Sequence, residues 1–207
     1  MSRPQTSGEE AVNALIHLLG FGLGIAVLAV LVISASAQGD PWRIVSFSIY
    51  GSCLVLLYGA SALYHAVPHG AFKRAMNKVD HASIFLLIAG TYTPFMLVPL
   101  RGGWGWSIFG VVWGIAMLGI GANDLLHRMT PLRVALYILL GWIIVIAIVP
   151  VTFLLSPSVV LLLAAGGIAY TSGVYFFARE RLPFHHAIWH LFVLGGSACH
   201  FWALLAI

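Results

Sequence analysis

Charge is scarce in this sequence of 207 residues: only 8% are Asp, Glu, Lys or Arg, against about 25% in an ordinary soluble domain. With 61% hydrophobic and 13% aromatic residues, that shortage excludes a water-soluble single domain, and it excludes disorder, which needs high charge and few aromatics. Cysteine is nearly absent. Two residues, Cys53 and Cys199, cannot make a disulfide framework. Both sit inside apolar runs without a CxxC partner and read as small buried hydrophobes. Acids are rarer than bases, six against ten, which leaves a formal charge of +4. In a chain this apolar, the excess points to membrane topology rather than to nucleic-acid binding.

What is present in abundance is apolar sequence. A spanning helix takes about 20 such residues, and the runs predict seven: Asn13–Ala35, Trp42–His65, Asp80–Val98, Trp104–Leu126, Leu132–Val149, Ser158–Ala178 and His185–Ala206. Turn chemistry marks the breaks: Gly39-Asp40-Pro41, Pro68-His69-Gly70, Arg101-Gly102-Gly103, Thr130-Pro131, Ser156-Pro157 and Leu182-Pro183. The first run ends in Ala35-Ser36-Ala37, which has the form of a signal-peptidase site. Its apolar stretch exceeds a usual h-region of about 7–15 residues, and its leader carries one basic residue, Arg3; it is expected to be retained. The longest connection places Phe72, Ala75, Met76 and Val79 between Lys73, Arg74 and Lys78, and predicts a short amphipathic helix on the membrane surface. Without repeats or linkers, residues 1–207 are expected to form a single all-α transmembrane domain.

Seven spans put alternate connections on opposite sides. Arg3, Lys73, Arg74, Lys78, Arg128, Arg133, Arg179 and Arg181 fall on one side, Arg43 and Arg101 on the other. The positive-inside rule makes the richer side cytoplasmic, with the N-terminus inside and the C-terminus outside.

Ionisable groups inside a bilayer are costly and usually functional or paired. Here they gather near the cytoplasmic face: Asn13 and His17, Ser61 and His65, Asp80 and His81, Asp124 and His127, and His185, His186 and His190. His186 and His190 are i and i+4 and share a helix face. With a third imidazole from His65, and a solvent or carboxylate position that Asp80 could supply, they match a catalytic zinc pattern. The alternative is that these histidines anchor helix ends at the headgroups. His69 and His127 read as loop residues and His185 points away from the pair. His200 lies ~15 Å of helix rise beyond His190 and is expected to make one buried hydrogen bond. Asn13 and His17 could buttress the site, and Asp124 could pair with Arg128.

The segments Ser61-Ala62-Leu63-Tyr64-His65, Val79-Asp80-His81, Gly90-Thr91-Tyr92-Thr93-Pro94, His186-Ala187-Ile188-Trp189-His190 and Ser197-Ala198-Cys199-His200-Phe201 resemble the hemolysin III branch of the progestin and adipoQ receptor (PAQR) family, over essentially the whole chain. The resemblance implies seven helices and a Zn2+ ion near their cytoplasmic ends. It makes His65, His186 and His190 the metal ligands. Asp80 would contact the metal through water, and Ser61 would be a supporting or substrate-contacting hydroxyl, so Asp80 and Ser61 are the candidate catalytic residues.

Two functions of different class follow, with a third behind them. The first is a membrane-embedded zinc-dependent hydrolase of lipid amides or esters, ceramidase-like and acting in membrane lipid homeostasis. A membrane lipid would be its substrate, held in a cavity between helices two, three and seven. Gly20, Gly22, Gly24, Gly166 and Gly167 would serve close helix packing or a lateral opening. The second is a non-catalytic lipid or membrane sensor with a structural zinc. A pore-forming hemolysin is the weakest, since no ring of charge recurs across the membrane. The expected location is the bacterial inner or plasma membrane, as an integral multi-pass protein.

Overall fold

The structure, a computed structural model, describes residues 5–207. Among these residues the regular elements are all helical: α1 Ser7–Gln38, α2 Pro41–Ala66, α3 Ala71–Leu97, α4 Gly103–Gly121, α5 Asn123–His127, α6 Thr130–Gly141, a 3-10 segment Ile143–Ala147, α7 Ile148–Leu154, α8 Pro157–Phe177 and α9 His185–Leu205. The turn residues act as anticipated. Thr6 and Glu9 close a capping box at the start of α1, and Gly39, left-handed at φ 69°, ends it. Asp40 accepts from Trp42 N at 2.9 Å to open α2 behind Pro41, and Ser156 with Pro157 repeats the device at α8. Each cap satisfies a backbone N–H that the first turn leaves free.

The helices pack in sequence, α1 on α2, α2 on α3, α3 on α4 and α8 on α9, and α1 closes the ring against α9. Their outer faces are apolar and open: Leu118, Ile146, Val149 and Phe153 lie exposed, Phe153 by 86%. A surface of that kind is matched by lipid. Six helical stretches are long and apolar enough to cross a membrane: Ser7–Gln38, Pro41–Ala66, Gly103–Gly121, Thr130–Leu154, Pro157–Phe177 and His185–Leu205. The third expected span is not among them. In its place stands α3, 27 residues long, with Lys73, Arg74, Lys78 and Asp80 in its first half and Thr91, Tyr92 and Thr93 in its second. It is the most enclosed helix of the bundle, buried almost continuously from Ala89 to Leu97. A helix screened by its neighbours does not need a lipid-compatible surface.

The segment expected to form a separate surface helix is therefore the first half of α3, which runs from Ala71 without a break. The fourth span divides at Ala122, giving the short α5. The division turns Asp124 toward α3, where its Oδ1 meets Lys78 Nζ at 2.6 Å instead of pairing with Arg128 as expected. The Lys78 hydrogen bond and charge hold the Asp124 carboxyl below the usual carboxylate range, with Arg128 contributing less. Exposed as it is, the pair contributes little to stability.

The fifth span is broken by the 3-10 segment. Pro150, just past the break, has no N–H to return to the preceding turn. Tyr92 of α3 plugs the gap: its hydroxyl donates to Gly141 O at 2.8 Å and accepts from Ile144 N at 2.9 Å. Backbone groups freed inside a bilayer need such partners.

Glycines differ sharply in what they permit. At Gly105 an added Cβ would run into the carbonyl oxygens of Met96 and Leu100, which are backbone and cannot step aside; at Gly22 it would meet nothing. Gly105→Ala is expected to destabilise by about 1–3 kcal/mol, as overpacking does. Gly22→Ala should be neutral or slightly stabilising, since Ala is the better helix former by roughly 1 kcal/mol. Thermal melts of the two variants in one detergent check the contrast.

Candidate metal centre

Three imidazoles converge where the end of α2 meets the start of α9. His65 sits on the last turn of α2; His186 and His190 sit one turn apart on α9. Each offers a ring nitrogen, and the three nitrogens lie within 4.8 Å of one another. The ring centroids are 5.1 Å apart for His65 with His186, 5.1 Å for His65 with His190 and 4.5 Å for His186 with His190. Nitrogens on one tetrahedral zinc, each bonded at ~2.0–2.1 Å, stand ~3.4 Å apart; small side-chain rotations close that difference.

The donor chemistry fits a metal cation. His65 Nδ1 is engaged at 2.7 Å by Glu10 Oε2. Among the described residues His65 Nε2 is buried without a protein partner, and the same holds for His190 Nδ1. Burying a polar nitrogen without a partner costs about 1–3 kcal/mol, and two such nitrogens belong to residues of the triad. His17 of α1 lies flat against His190, with ring centroids 3.5 Å apart and planes 22° apart, and edge-on to Tyr58 at 5.2 Å. The expected buttress from α1 is thus a stacked ring.

Beside the imidazoles opens a cavity of about 250 Å³. Asp80 and Ser61 line it together with His17, His186, His190 and Arg133. Asp80 is buried and lies outside the imidazole triangle. Ser61 is buried, with its hydroxyl beside the Asp80 carboxyl. The rest of the wall is mostly apolar, from Ile84, Leu87 and Ile88 of α3 to Val145, Ile148 and Leu163. The position differs from the expected one. α2 contributes only Leu57 and Ser61, whereas α6, the 3-10 segment, α7 and α8 build one side. Between α2 and α9 the buried Tyr50 and Tyr58 take up space, their hydroxyls reaching the Ser197 carbonyl and hydroxyl.

The other singled-out residues separate cleanly. His69 is exposed. His185 is buried but outside the triangle. His200 is buried far along α9 and makes one long hydrogen bond, 3.4 Å to Leu163 O. Gly20 and Gly166 allow close approach, to Tyr58 and His200, whereas Gly22 does not face a neighbour.

Sequence reasoning missed three charged residues. Arg133, counted as a loop cation, is only 3% exposed and lines the cavity; its guanidinium lies 3.3 Å from His127 Nδ1, and its Nε has no protein partner. Glu10 and Lys73 form an ion pair at 3.1 Å against His65. The available signal was their depth: all three fall in the layer that holds the histidines.

Comparisons with known proteins show the family. The family described as "Haemolysin-III related" matches residues 5–201. "Hemolysin-3" of Bacillus cereus is 44% identical over 198 residues, covering 95% of this chain and 90% of that protein. "Hemolysin-3 homolog" of Bacillus subtilis (strain 168) is 43% identical over 201 residues, covering 97% and 94%. The human "Monocyte to macrophage differentiation factor" is 29% identical over 215 residues, covering 96% and 84%. No solved structure matches. A multi-pass helical membrane protein with a histidine triad able to hold a metal, matched over nearly its full length, this chain belongs to the haemolysin III branch of the PAQR family.

Proposed function

We propose that this protein is a membrane-embedded, zinc-dependent hydrolase of lipid amides or esters that acts in membrane lipid homeostasis. The observation that carries the reading is the histidine triad beside a mostly apolar cavity whose polar lining includes Asp80, Ser61 and Arg133. His65, His186 and His190 would hold the ion. Zinc bound there supplies Lewis acidity toward an acyl carbonyl and toward water. The chain's own residues do the remainder. The carboxylate of Asp80 takes the proton that water loses as its oxygen adds to the carbonyl carbon. It returns that proton to the amine, or to the alcohol of an ester, as the bond to the leaving group breaks. Arg133 faces the oxygen on which negative charge develops, and its buried guanidinium is worth more there than in water. The hydroxyl of Ser61, beside Asp80, donates to the lipid headgroup. The apolar wall receives the acyl chain and excludes water.

In the same proposal α3 is the seventh span and the histidine layer is cytoplasmic. The exposed basic residues Arg74, Lys78, Arg128, Arg179 and Arg181 all belong to the ends and connections on that side, against Arg43 and Arg101 on the other. Arg3 of the original tally lies outside the described residues. Lys73 and Arg133 are buried at the site and no longer count as loop charge. A reporter active only outside the cytoplasm should work when fused after Ile207 and stay silent when inserted near Gly70; the reverse pattern refutes the orientation.

Substitutions should divide the site in two. The double variant His186→Ala, His190→Ala should lose bound zinc and melt lower, because a ligand bound to the folded state stabilises it by mass action. Asp80→Asn should keep the metal and lose turnover by about 10²–10⁴-fold, the usual worth of a general base. Elemental analysis beside hydrolysis of a long-chain lipid amide checks both in one preparation. Full zinc content in the double variant refutes the ligand assignment. Zinc in the native protein without turnover of any amide or ester refutes the hydrolase and leaves a lipid sensor.

A further inference from the structure

We propose that Glu10 is a positioning residue of the metal centre: its carboxylate sets the tautomer and direction of His65. The inference rests on the metal reading above and reaches beyond the ligands themselves.

Glu10 stands on the first turns of α1 and reaches two other helices. Its Oε2 lies 2.7 Å from His65 Nδ1 on α2, and its Oε1 lies 3.1 Å from Lys73 Nζ on α3. Lys73 is itself fixed. It is only 7% exposed, donates to Tyr64 O at 2.9 Å and to Val67 O at 3.3 Å, and sits 4.6 Å from the centre of the Tyr64 ring. An ammonium has three donors, and all three are used. Glu10 cannot swing away without leaving a buried cation short of a partner, so the carboxylate is held in one place.

That placement decides what His65 can do. A neutral imidazole carries its proton on one nitrogen and its lone pair on the other. With Nδ1 donating to Glu10, the lone pair is on Nε2, the nitrogen that is buried, has no protein partner and belongs to the triad residue. An adjacent carboxylate also makes the imidazole a stronger donor to a metal. Without Glu10 the proton is free to move to Nε2, and the ring is free to turn. Neighbouring Glu9 is spent differently: its Oε1 accepts from Phe184 N at 2.8 Å. Phe184 is a left-handed residue at φ 57° immediately before α9. The two acids together tie α1 to both helices that carry the triad, and Glu10 alone bonds a triad imidazole in that pair of contacts.

The test uses the full chain in detergent micelles with Co2+ as the probe, whose visible bands report ligand identity and geometry. Glu10→Ala is expected to lower Co2+ affinity about 10–100-fold, the usual effect of losing such a partner, and to change the band pattern. Glu10→Gln, which keeps the shape and an acceptor but not the charge, should lose less affinity while melting like the native protein without metal. Glu180→Gln, the same charge change in an exposed loop, should leave affinity and bands alone. Native affinity and bands in both Glu10→Ala and Glu10→Gln would overturn the assignment while the metal reading stands. Failure of the native chain to take up Co2+ or zinc would overturn both.

Discussion

An imidazole nitrogen enclosed in an apolar bundle has to be answered by something, and most of this architecture can be traced to that demand. Three histidines from two helices turn nitrogens toward one point; a carboxylate occupies His65 Nδ1, and a fourth ring covers His190 from the side. At about 1–3 kcal/mol for each unanswered buried group, several such nitrogens together would consume much of a total stability of about 5–15 kcal/mol. A cation held by these nitrogens would remove that cost. The same demand explains the dense hydrogen bonding just beyond it, where Tyr58 and Tyr170 each lie 2.8 Å from the Ser197 hydroxyl.

α1 shows how the constraint shapes a whole helix. Its buried face reads Glu9, Asn13, His17, Gly20 and Gly24, spaced by three or four residues, while Leu15, Leu18, Leu19 and Leu23 face outward. That is the amphipathic stripe of a soluble helix turned inside out. Polar side chains occupy the end near the triad, and glycines occupy the middle. Gly20 lets the ring of Tyr58 come close, and Gly24 lies against Val55. The helix is apolar enough on average to cross a membrane, yet the residues that it contributes to the interior at its first turns are almost all polar.

Much of this was legible in the sequence, because lipid imposes a coarse and readable constraint. Helix ends at Gly39-Asp40-Pro41 and Ser156-Pro157 follow from backbone chemistry that needs no tertiary context. His186 and His190 follow from an i, i+4 spacing, and His65 and Asp80 from a common depth. Depth was also the limit. It ranks residues along the membrane normal and says nothing about direction within the plane. Arg133 and Lys73 therefore looked like loop cations, although they point into the protein. Glu10 sat in a leader that hydropathy treats as a preface. α3 misled for the opposite reason: hydropathy measures fitness for lipid, and a helix surrounded by other helices is not selected for it. The continuity of α3 through Lys73 and Lys78 could be seen only once α1 and α2 were there to receive Lys73.

The broken stretch Thr130–Leu154 links these packing rules to the cavity. At that position the chain does not continue as one straight α-helix. Instead the 3-10 segment tightens the chain from Ile143 to Ala147, and Tyr92 holds both sides of the break with one hydroxyl. Trp142 Nε1 donates to Thr171 Oγ1 at 3.0 Å on the α8 side. The break is thus pinned to both neighbours, and the residues on either side of it, Ile138, Ile144 and Ile148, form part of the cavity wall. A hydroxyl on α3 does two things at once. It satisfies backbone groups that the bilayer would leave bare, and it fixes the break where the chain lines the cavity. Polar chemistry that is costly inside a membrane is in this way what anchors the broken backbone that lines an apolar slot next to the histidines.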